Sequence, residues 1–273
     1  MSFQPIVEHI TIYPIKSLDG ISLQEVAVAK GGCLLHDREY AIFTEEGKLL
    51  NGKSNAMVHL LRSTYDLEKG IFFLRHQDEK EYKTFHPEKD SSSLNRWLSE
   101  FFGRRVMLRK ESTGRFLDIP DVSGMTIVST ASLMAVRSWF SIPDVEEVRR
   151  RFRASIEIGG VPAFWEDQLF TSKGRAVNFT LGQLNVVGIQ PRERCVVPTR
   201  NPENAQVLHA FPRLFAGNRQ REMPAQSNLN SYDHYYYLSV DCHLPDSETG
   251  KLLRIGDELK LKGIENLPEG IIV

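Results

Sequence analysis

The chain has 273 residues, a length that fits one large domain or two closely packed domains with a substantial core. It is 41% hydrophobic and 25% charged, as ordinary globular proteins are. Its formal net charge of -1 argues against a dedicated binder of nucleic acids or anionic membranes, because such proteins normally carry an excess of basic residues.

The cysteine pattern argues against several kinds of metal site. The three cysteines, Cys33, Cys195 and Cys242, are far apart and form no C-x-x-C pair, so neither a zinc knuckle nor an iron–sulfur cluster is predicted. No disulfide framework is indicated, which favours a reducing compartment. The first residues lack the features of a signal peptide, and no run approaches the ~18–20 apolar residues of a membrane span. We therefore expect a cytoplasmic protein that spans no membrane.

The first 110 residues predict a β-rich domain with one helix. The helix is expected over residues 91–102, where apolar side chains recur at helical spacing, with Ser92 or Ser93 as its cap and Gly103 at its end. Alternation of apolar residues between turn signals predicts the strands. These strands are expected at residues 6–13, 21–29, 39–44, 49–50, 56–66, 70–75 and 106–109.

The remaining residues predict a second part that is again rich in strands. Residues 110–123 are polar and form the expected connector, so we predict domains at 1–110 and 111–273. Gly256-Asp257 lies between two apolar runs and predicts a closing hairpin over residues 252–261. The fold class predicted for the whole chain is α+β with a β majority. The other predicted elements are strands at 125–130, 154–158, 175–179, 184–189 and 234–240 and helices at 131–140 and 208–217.

The stretch around Cys195 is the strongest candidate for chemistry. Cys195 directly follows Arg194 and comes three residues after Arg192. Flanking guanidinium groups favour the thiolate, which is the form that attacks electrophiles and binds metals. Val196 and Val197 favour extended backbone after the cysteine. On these residues alone a buried structural cysteine is the alternative, because free cysteine is among the most buried residue types.

Five short motifs occur in order along the chain: Ile12-Tyr-Pro-Ile-Lys-Ser17, Arg151-Phe-Arg153, Glu166-Asp167, Arg194-Cys195 and Asn201-Pro202. Their order resembles that of the MOSC domain, which is named for the C-terminal domain of molybdenum cofactor sulfurases. The first motif is similar to the signature of the β-rich domain that precedes MOSC in a two-part family, which includes the mitochondrial amidoxime reducing component and its bacterial relatives. The resemblance implies an N-terminal β-barrel-like domain packed on a MOSC β-barrel with a few peripheral helices.

The resemblance also implies a cofactor and the residues that hold it. The cofactor is the molybdenum cofactor in its molybdopterin form, in the groove between the two domains, with Cys195 as metal ligand and catalytic residue. Fixed arginine and lysine donors suit its phosphate. Ser155 stands where the family usually has asparagine, and Phe164-Trp165 is expected in the pocket wall. At the family level only, the resemblance extends to pyridoxal phosphate binding. The positions that match cofactor contacts are Lys16, Ser17, Arg38, Asp121, Ser123, Arg153, Ser155 and Arg194.

The activity that the resemblance implies is the reduction of small N-hydroxylated or N-oxide-type substrates. Two electrons and two protons would remove the oxygen as water. Because the chain has no flavin, haem or iron–sulfur motif, separate reductase proteins are the expected electron donors, with no nucleic acid or membrane as partner. One alternative is a non-catalytic carrier of the cofactor or of a persulfide on Cys195. A third is a cysteine-nucleophile hydrolase, for which no histidine partner is evident.

Overall fold

The computed structural model describes residues 3–114, 116–120, 122, 124–225 and 227–271. Its α-helices are α1 (Ser91–Phe102), α2 (Thr130–Trp139), α3 (Val145–Phe152) and α4 (Phe211–Arg221). Short 3-10 helices lie at Ala56–Leu60, Trp165–Leu169, Val197–Thr199, Leu229–Ser231 and Asp246–Glu248. The strands are β1 (Ile6–Ile12), β2 (Ile21–Leu23), β3 (Glu25–Ala29), β4 (Cys33–Leu34), β5 (Tyr40–Thr44), β6 (Leu49–Leu50), β7 (Leu61–Asp66), β8 (Ile71–His76), β9 (Lys83–Phe85), β10 (Val106–Lys110), β11 (Met125–Ser129), β12 (Ile156–Gly159), β13 (Arg175–Leu181), β14 (Leu184–Glu193), β15 (Tyr237–His243), β16 (Leu252–Arg254) and β17 (Leu259–Asn266).

An eight-stranded sheet joins the two ends of the chain. Its strand order is β17-β13-β14-β15-β11-β12-β1-β2. Strand β1 pairs antiparallel with β12, and β11 pairs parallel with β12, so the first strand of the protein belongs to the sheet of the C-terminal part. Three smaller sheets have the orders β10-β5-β6, β16-β3-β4 and β7-β8-β9. A domain boundary near residue 110 stays a prediction.

Apolar side chains form separate clusters that match these sheets. One cluster packs beneath the large sheet and includes Ile10, Ile127 and Phe179. A second cluster lies between the small N-terminal sheets and α1. Helix α1 contributes Leu94 and Leu98, which are four residues apart and therefore lie on the same face of the helix. Burial of these fully enclosed side chains removes apolar surface from water, the main favourable term in folding. The β-rich α+β prediction is confirmed.

Helix α1 follows its predicted bounds, but its N-terminus differs from the expectation. Gly103 ends the helix in the left-handed conformation, with φ 63°, which glycine adopts without a Cβ clash. The N-cap position is Asp90 and not Ser92 or Ser93. Asp90 makes no side-chain cap bond to the helix and instead accepts a hydrogen bond from the His86 amide at 2.8 Å.

Two strand predictions were wrong in part. Residues 252–261 contain β16 and the start of β17. Strand β16 pairs with β3 and β17 pairs with β13, so the two strands do not form a hairpin with each other. Each strand extends the edge of a different sheet. The stretch 56–66 begins as a 3-10 helix because Asn55 accepts a hydrogen bond from the Met57 amide and starts a helical turn. Of the described helices, none combines the length and apolar character that crossing a membrane requires.

Candidate functional site

A strongly basic cavity lies where the segments after β1, α3 and β14 meet. It encloses about 1020 Å³, including the part that opens to solvent. All seven of the predicted site residues that the structure describes contribute to its wall. Two further predicted residues, Asp121 and Ser123, lie outside the described residues. The seven in this basic cavity are Lys16, Ser17, Arg38, Arg153, Ser155, Arg194 and Cys195.

Arg38 and Arg153 form one wall of the basic cavity around the buried ring of Tyr13. Their guanidinium carbons lie 4.4 and 4.0 Å from the ring centroid, a cation–π arrangement. Arg38 donates to the Arg153 carbonyl at 3.1 Å and to the Ser155 hydroxyl at 3.4 Å, and it pairs with the carboxylate of Asp37. Both arginines have positive φ, 51° and 56°. Tertiary contacts therefore fix these two side chains in place.

Arg153 has an unused donor in this wall. Its Nη2 atom is buried without a hydrogen-bond partner, and no carboxylate in the described part of the chain pairs with it. Burial lowers the pKa of the Arg153 guanidinium. A buried charge without a partner is costly, so a bound anion would stabilise this arrangement.

Sequence reasoning missed two residues that extend the basic wall, His59 and Arg62. Buried Nε and Nη1 atoms of Arg62 and the Nε2 atom of His59 have no hydrogen-bond partner, although Arg62 Nη1 lies 3.3 Å from a carboxylate oxygen of Asp19. Burial and the nearby Arg153 charge lower the pKa of His59 to about 4, so the imidazole is neutral at pH 7. Neither residue belongs to one of the five motifs. His59 comes from the 3-10 helix Ala56–Leu60, and Arg62 comes from β7.

Lys16 also lines the basic cavity and already has two acceptors. Its Nζ atom donates to Asp118 at 2.6 Å and to the Phe116 carbonyl at 2.7 Å. Ser17, next along the chain, accepts a hydrogen bond from the Gly52 amide at 3.3 Å. Asp118 also pairs with Arg192 at 2.8 Å. Asp118 and Arg192 are further wall residues that the motifs did not single out as cofactor contacts.

Cys195 is half-buried at the end of β14, held by the residues on either side of it. Its Sγ accepts from the Val197 amide at 3.4 Å, and its carbonyl accepts from the Tyr236 hydroxyl at 3.3 Å. Arg194 lies over the Phe152 ring at 5.1 Å and donates to the Phe152 carbonyl. Burial lowers the pKa of Arg194 to about 10, and its Nε atom has no partner.

Two local predictions near the site were wrong. Val196 has helical backbone angles and Val197–Thr199 is a 3-10 helix, because the Thr199 hydroxyl and amide both return to the Val196 carbonyl. Local hydrogen bonds thus overrode the β preference of the two valines. Phe164 and Trp165 lie in apolar clusters and not in the wall of the basic cavity, with Phe164 stacked on Trp139 at 5.6 Å.

The Glu166-Asp167 motif is also interior. Asp167 accepts from Arg219 at 2.7 and 2.6 Å and from the Ser227 hydroxyl at 2.5 Å. Glu166 accepts from the Ser132 hydroxyl at 3.0 Å, and its other oxygen has no partner. Burial, followed by the Asp167 charge, raises the pKa of Glu166 to about 7. The two side chains thus lie in the interior of the protein and not in the wall of the basic cavity.

A second cavity adjoins the basic one and shares Cys195 with it. It encloses about 1330 Å³, including space open to solvent. Glu193 is at its wall and pairs with His234 at 3.2 Å, while the Nδ1 atom of His234 accepts from the Tyr236 amide at 3.1 Å. The proton of a neutral His234 ring therefore lies on Nε2. Cys195 lies in the wall of both cavities. The shared wall consists of Lys53, Asp118, Ile119, Arg192, Arg194 and Cys195.

The donor set of the basic cavity fits a phosphate-bearing cofactor with a soft metal. Unpartnered buried nitrogens of Arg62, Arg153 and Arg194 are donors that a phosphate can accept from. The Cys195 sulfur is a soft donor of the kind that suits a thiolate-bound transition metal. No group of three or more His, Cys, Asp and Glu side chains within the described ranges could hold a bare metal ion. The cavity is therefore suited to a metal that arrives with its own ligands.

Comparison with known proteins identifies the N-terminal part. A family model of the MOSC N-terminal beta barrel domain matches residues 4–105. The molybdenum cofactor sulfurase of Arabidopsis thaliana is 26% identical over 230 residues, and the alignment covers 66% of this chain and 28% of the relative. Mitochondrial amidoxime-reducing component 1 of Xenopus laevis is 22% identical over 295 residues, covering 92% of this chain and 80% of the relative.

Two further comparisons span most of this chain. The human molybdenum cofactor sulfurase is 21% identical over 287 residues, covering 88% of this chain and 31% of the relative. The chain thus spans about a third or less of the two sulfurases. The crystal structure of the YUAD protein from Bacillus subtilis superposes with a TM-score of 0.44 at 11% identity, covering 97% of each chain. The protein therefore contains a MOSC N-terminal beta barrel domain at residues 4–105 and is related to amidoxime-reducing components and molybdenum cofactor sulfurases.

Proposed function

We propose that this protein binds the molybdenum cofactor in the basic cavity and reduces small N-oxygenated compounds in the second cavity. The observation that carries the proposal is the position of Cys195, which lines both the basic cavity and the second cavity that adjoins it. A relative named as an amidoxime-reducing component, aligned over 92% of this chain, supports the substrate class.

Arginine side chains would hold the phosphate of the cofactor. Arg153 supplies a buried donor without a partner, and Arg38 lies beside it on the Tyr13 ring. Arg62 supplies further unused donors from the neighbouring wall. Guanidinium groups bind phosphate through paired, charge-assisted hydrogen bonds, which fix orientation as well as affinity. Lys16 and Ser17 would complete this binding set, and Asp121 and Ser123 stay predicted members of it.

Cys195 would bind the metal through its sulfur. When bound, the cofactor supplies two-electron redox chemistry and oxygen-atom transfer, as the hard chemistry of cofactor enzymes generally comes from the cofactor. The Val197 amide donates a hydrogen bond to Sγ at 3.4 Å and so restrains the position of the sulfur. The buried Arg194 next to it adds positive charge at the same wall. Both residues thus lie next to the sulfur that would hold the metal.

Substrate would approach through the second cavity. Reduction of an N-hydroxylated substrate consumes two electrons and two protons, breaks the N–O bond and releases water. Glu193 and His234 form a hydrogen-bonded pair beside this cavity and can pass protons from solvent. The electrons would come from a separate reductase protein, because the sequence carries no flavin, haem or iron–sulfur motif.

The alternative is a carrier that holds the cofactor, or a persulfide on Cys195, for delivery to another protein. The sulfurase relatives are the observation that favours it. The experiment that separates the two is an assay of molybdenum-loaded protein with a chemical reductant and an N-hydroxylated amidine. Turnover of the N–O bond that requires Cys195 supports the enzyme. Loaded protein that releases cofactor to an acceptor protein without turnover, or metal-free protein that carries a Cys195 persulfide by mass spectrometry, supports the carrier.

A further inference from the structure

Lys16, which is proposed above to bind phosphate, already forms an ion pair with the carboxylate of Asp118. Its ammonium lies 2.6 Å from one oxygen of Asp118, whose other oxygen lies 2.8 Å from Arg192. Arg192 in turn contacts the fully buried Asp241 at 2.5 Å. Asp118 therefore bridges one cation of the basic cavity and one cation of the wall that the two cavities share.

The charges show that this contact is strong. Burial opposes ionisation of Asp118, but the Lys16 and Arg192 charges outweigh it and hold the pKa of that carboxyl well below its usual range. The Lys16 side chain is only 9% exposed, whereas that of Asp118 is 38% exposed. The ammonium is thus enclosed, while the carboxylate has solvent-facing space into which it can move.

We propose that Asp118 is a built-in competitor for the anion site, which occupies Lys16 until the phosphate of the cofactor displaces it. The inference rests on the proposed function only in taking Lys16 as a phosphate ligand. An ammonium has three donors, and Asp118 and the Phe116 carbonyl use two of them. A phosphate that takes the place of Asp118 keeps the charge of Lys16 compensated.

Competition of this kind makes the cavity selective for a large ligand. A tethered carboxylate acts at a high effective concentration, so a free anion that binds mainly through Lys16 competes poorly with it. A ligand that also reaches Arg38 and Arg153 gains enough contacts to displace Asp118. Arg192 retains the released carboxylate at the shared wall, because it contacts Asp118 independently of Lys16. Asp118 therefore selects an extended phosphate ligand over inorganic phosphate.

Displacement should also loosen the segment that carries Asp118. The Phe116 carbonyl and the Asp118 carboxylate attach residues 116–120 to Lys16. The Phe116 ring contacts Phe43 at 5.5 Å and would keep one end attached. Binding of phosphate at Lys16 should therefore increase amide hydrogen exchange at residues 118–119 in the wild-type protein.

The test uses the metal-free full-length protein and inorganic phosphate as probe, measured by isothermal titration calorimetry. Asp118→Asn should bind phosphate about tenfold or more tightly than wild type, since one charge-assisted donor becomes available. The gain should fall to about threefold or less when Lys16→Ala is also present, because Arg192 keeps Asp241 as a partner. Asp19→Asn is the matched control: it removes an acid of the same cavity that contacts Arg62, so any gain it gives should persist with Lys16→Ala.

Two results would overturn the proposal. One is an Asp118→Asn protein that is folded by circular dichroism yet gains no phosphate affinity, or gains as much with Lys16→Ala as without it. Asp118→Ala serves as the second variant if the asparagine protein does not fold. The other is wild-type protein whose phosphate affinity falls with Lys16→Ala, so that phosphate engages Lys16, yet whose amide exchange at 118–119 does not change on saturation with phosphate. These measurements involve no molybdenum, so loaded protein that lacks reductase activity would refute the proposed function and leave this result unaffected.

Discussion

Arg38 and Arg153 share the ring of Tyr13, and Arg38 donates a hydrogen bond to the Arg153 carbonyl at 3.1 Å. Two cations from segments more than a hundred residues apart are thus fixed side by side in the wall of the basic cavity. Arg38 is neutralised by Asp37, but Arg153 keeps a buried donor without a partner. This asymmetry makes Arg153 the donor best placed to receive an anion.

Replacement of Arg153 should weaken cofactor retention more than protein stability. Arg153→Ala removes a charge-assisted donor of the kind that contributes on the order of 1.5–3 kcal/mol, so retention should fall by about 10- to 100-fold. Alanine at φ 56° is no more strained than arginine, since both carry a Cβ. Pterin content after gel filtration measures retention. Arg105→Ala is the control, because that side chain is 82% exposed and pairs with the exposed Glu45. Equal pterin loss in both variants would contradict the role of Arg153.

The motifs identified the basic cavity but not its whole wall. Lys16, Arg153 and Cys195 each occur in one of the five motifs, Arg38 matches a cofactor-contact position, and the fold brings them together. Arg62 lies in β7 with no such pattern, and its position depends on how the small N-terminal sheets pack against the later segments. Long-range packing of this kind is not encoded in local spacing, so Arg62 could not be inferred from the sequence.

Local sequence patterns located most of the strands but did not predict how they pair. Alternation of apolar residues located the elements, because it depends on which face each residue buries. It does not specify which strands pair. The run around Gly256-Asp257 resembles a hairpin locally, yet its two strands belong to separate sheets. Near Cys195, hydrogen bonds from Thr199 turn two valines out of the extended conformation. Tertiary contacts decided both cases.

The buried Glu166 should make stability depend on pH near neutrality. Its folded-state pKa, raised to about 7 by burial and then by Asp167, lies above that of the unfolded chain. The stabilisation that protonated Glu166 allows is therefore complete below the unfolded pKa and is lost as pH rises through about 7. Glu166→Gln imitates the protonated form and should be more stable than wild type at pH 8, by on the order of 1–3 kcal/mol, but not at pH 4.5.

Urea unfolding at the two pH values measures this difference. Glu146→Gln, which removes an exposed carboxylate in the first turn of α3, is the control and should not reproduce the gain in stability at pH 8. If Glu166→Gln were equally or less stable than wild type at pH 8, Glu166 would be ionised without penalty in the folded protein.

The Asp167–Arg219 pair behind the site should be sensitive to loss of one partner. The Arg219 and Asp167 side chains are only 2% and 5% exposed, and the guanidinium lies 4.1 Å over the Phe164 ring. Arg219→Met fills similar space but leaves a buried carboxylate without its counter-charge, which should cost about 3–5 kcal/mol. The urea midpoint should therefore fall strongly, whereas Arg221→Met, near the end of the same helix, should change it little. Similar midpoints for both variants would show that Asp167 does not depend on Arg219.

The most direct test of the account is the molybdenum and pterin content of wild type and of Cys195→Ala, both expressed in a host that makes the molybdenum cofactor. Wild-type protein should contain about one molybdenum and one pterin per chain, since one cysteine, whose sulfur is a soft metal ligand, lines the basic cavity. In Cys195→Ala the metal should be absent or easily lost, while pterin is partly retained through the arginine wall. Folded wild-type protein with neither molybdenum nor pterin, or a variant that retains both as firmly as wild type, would contradict the central claim.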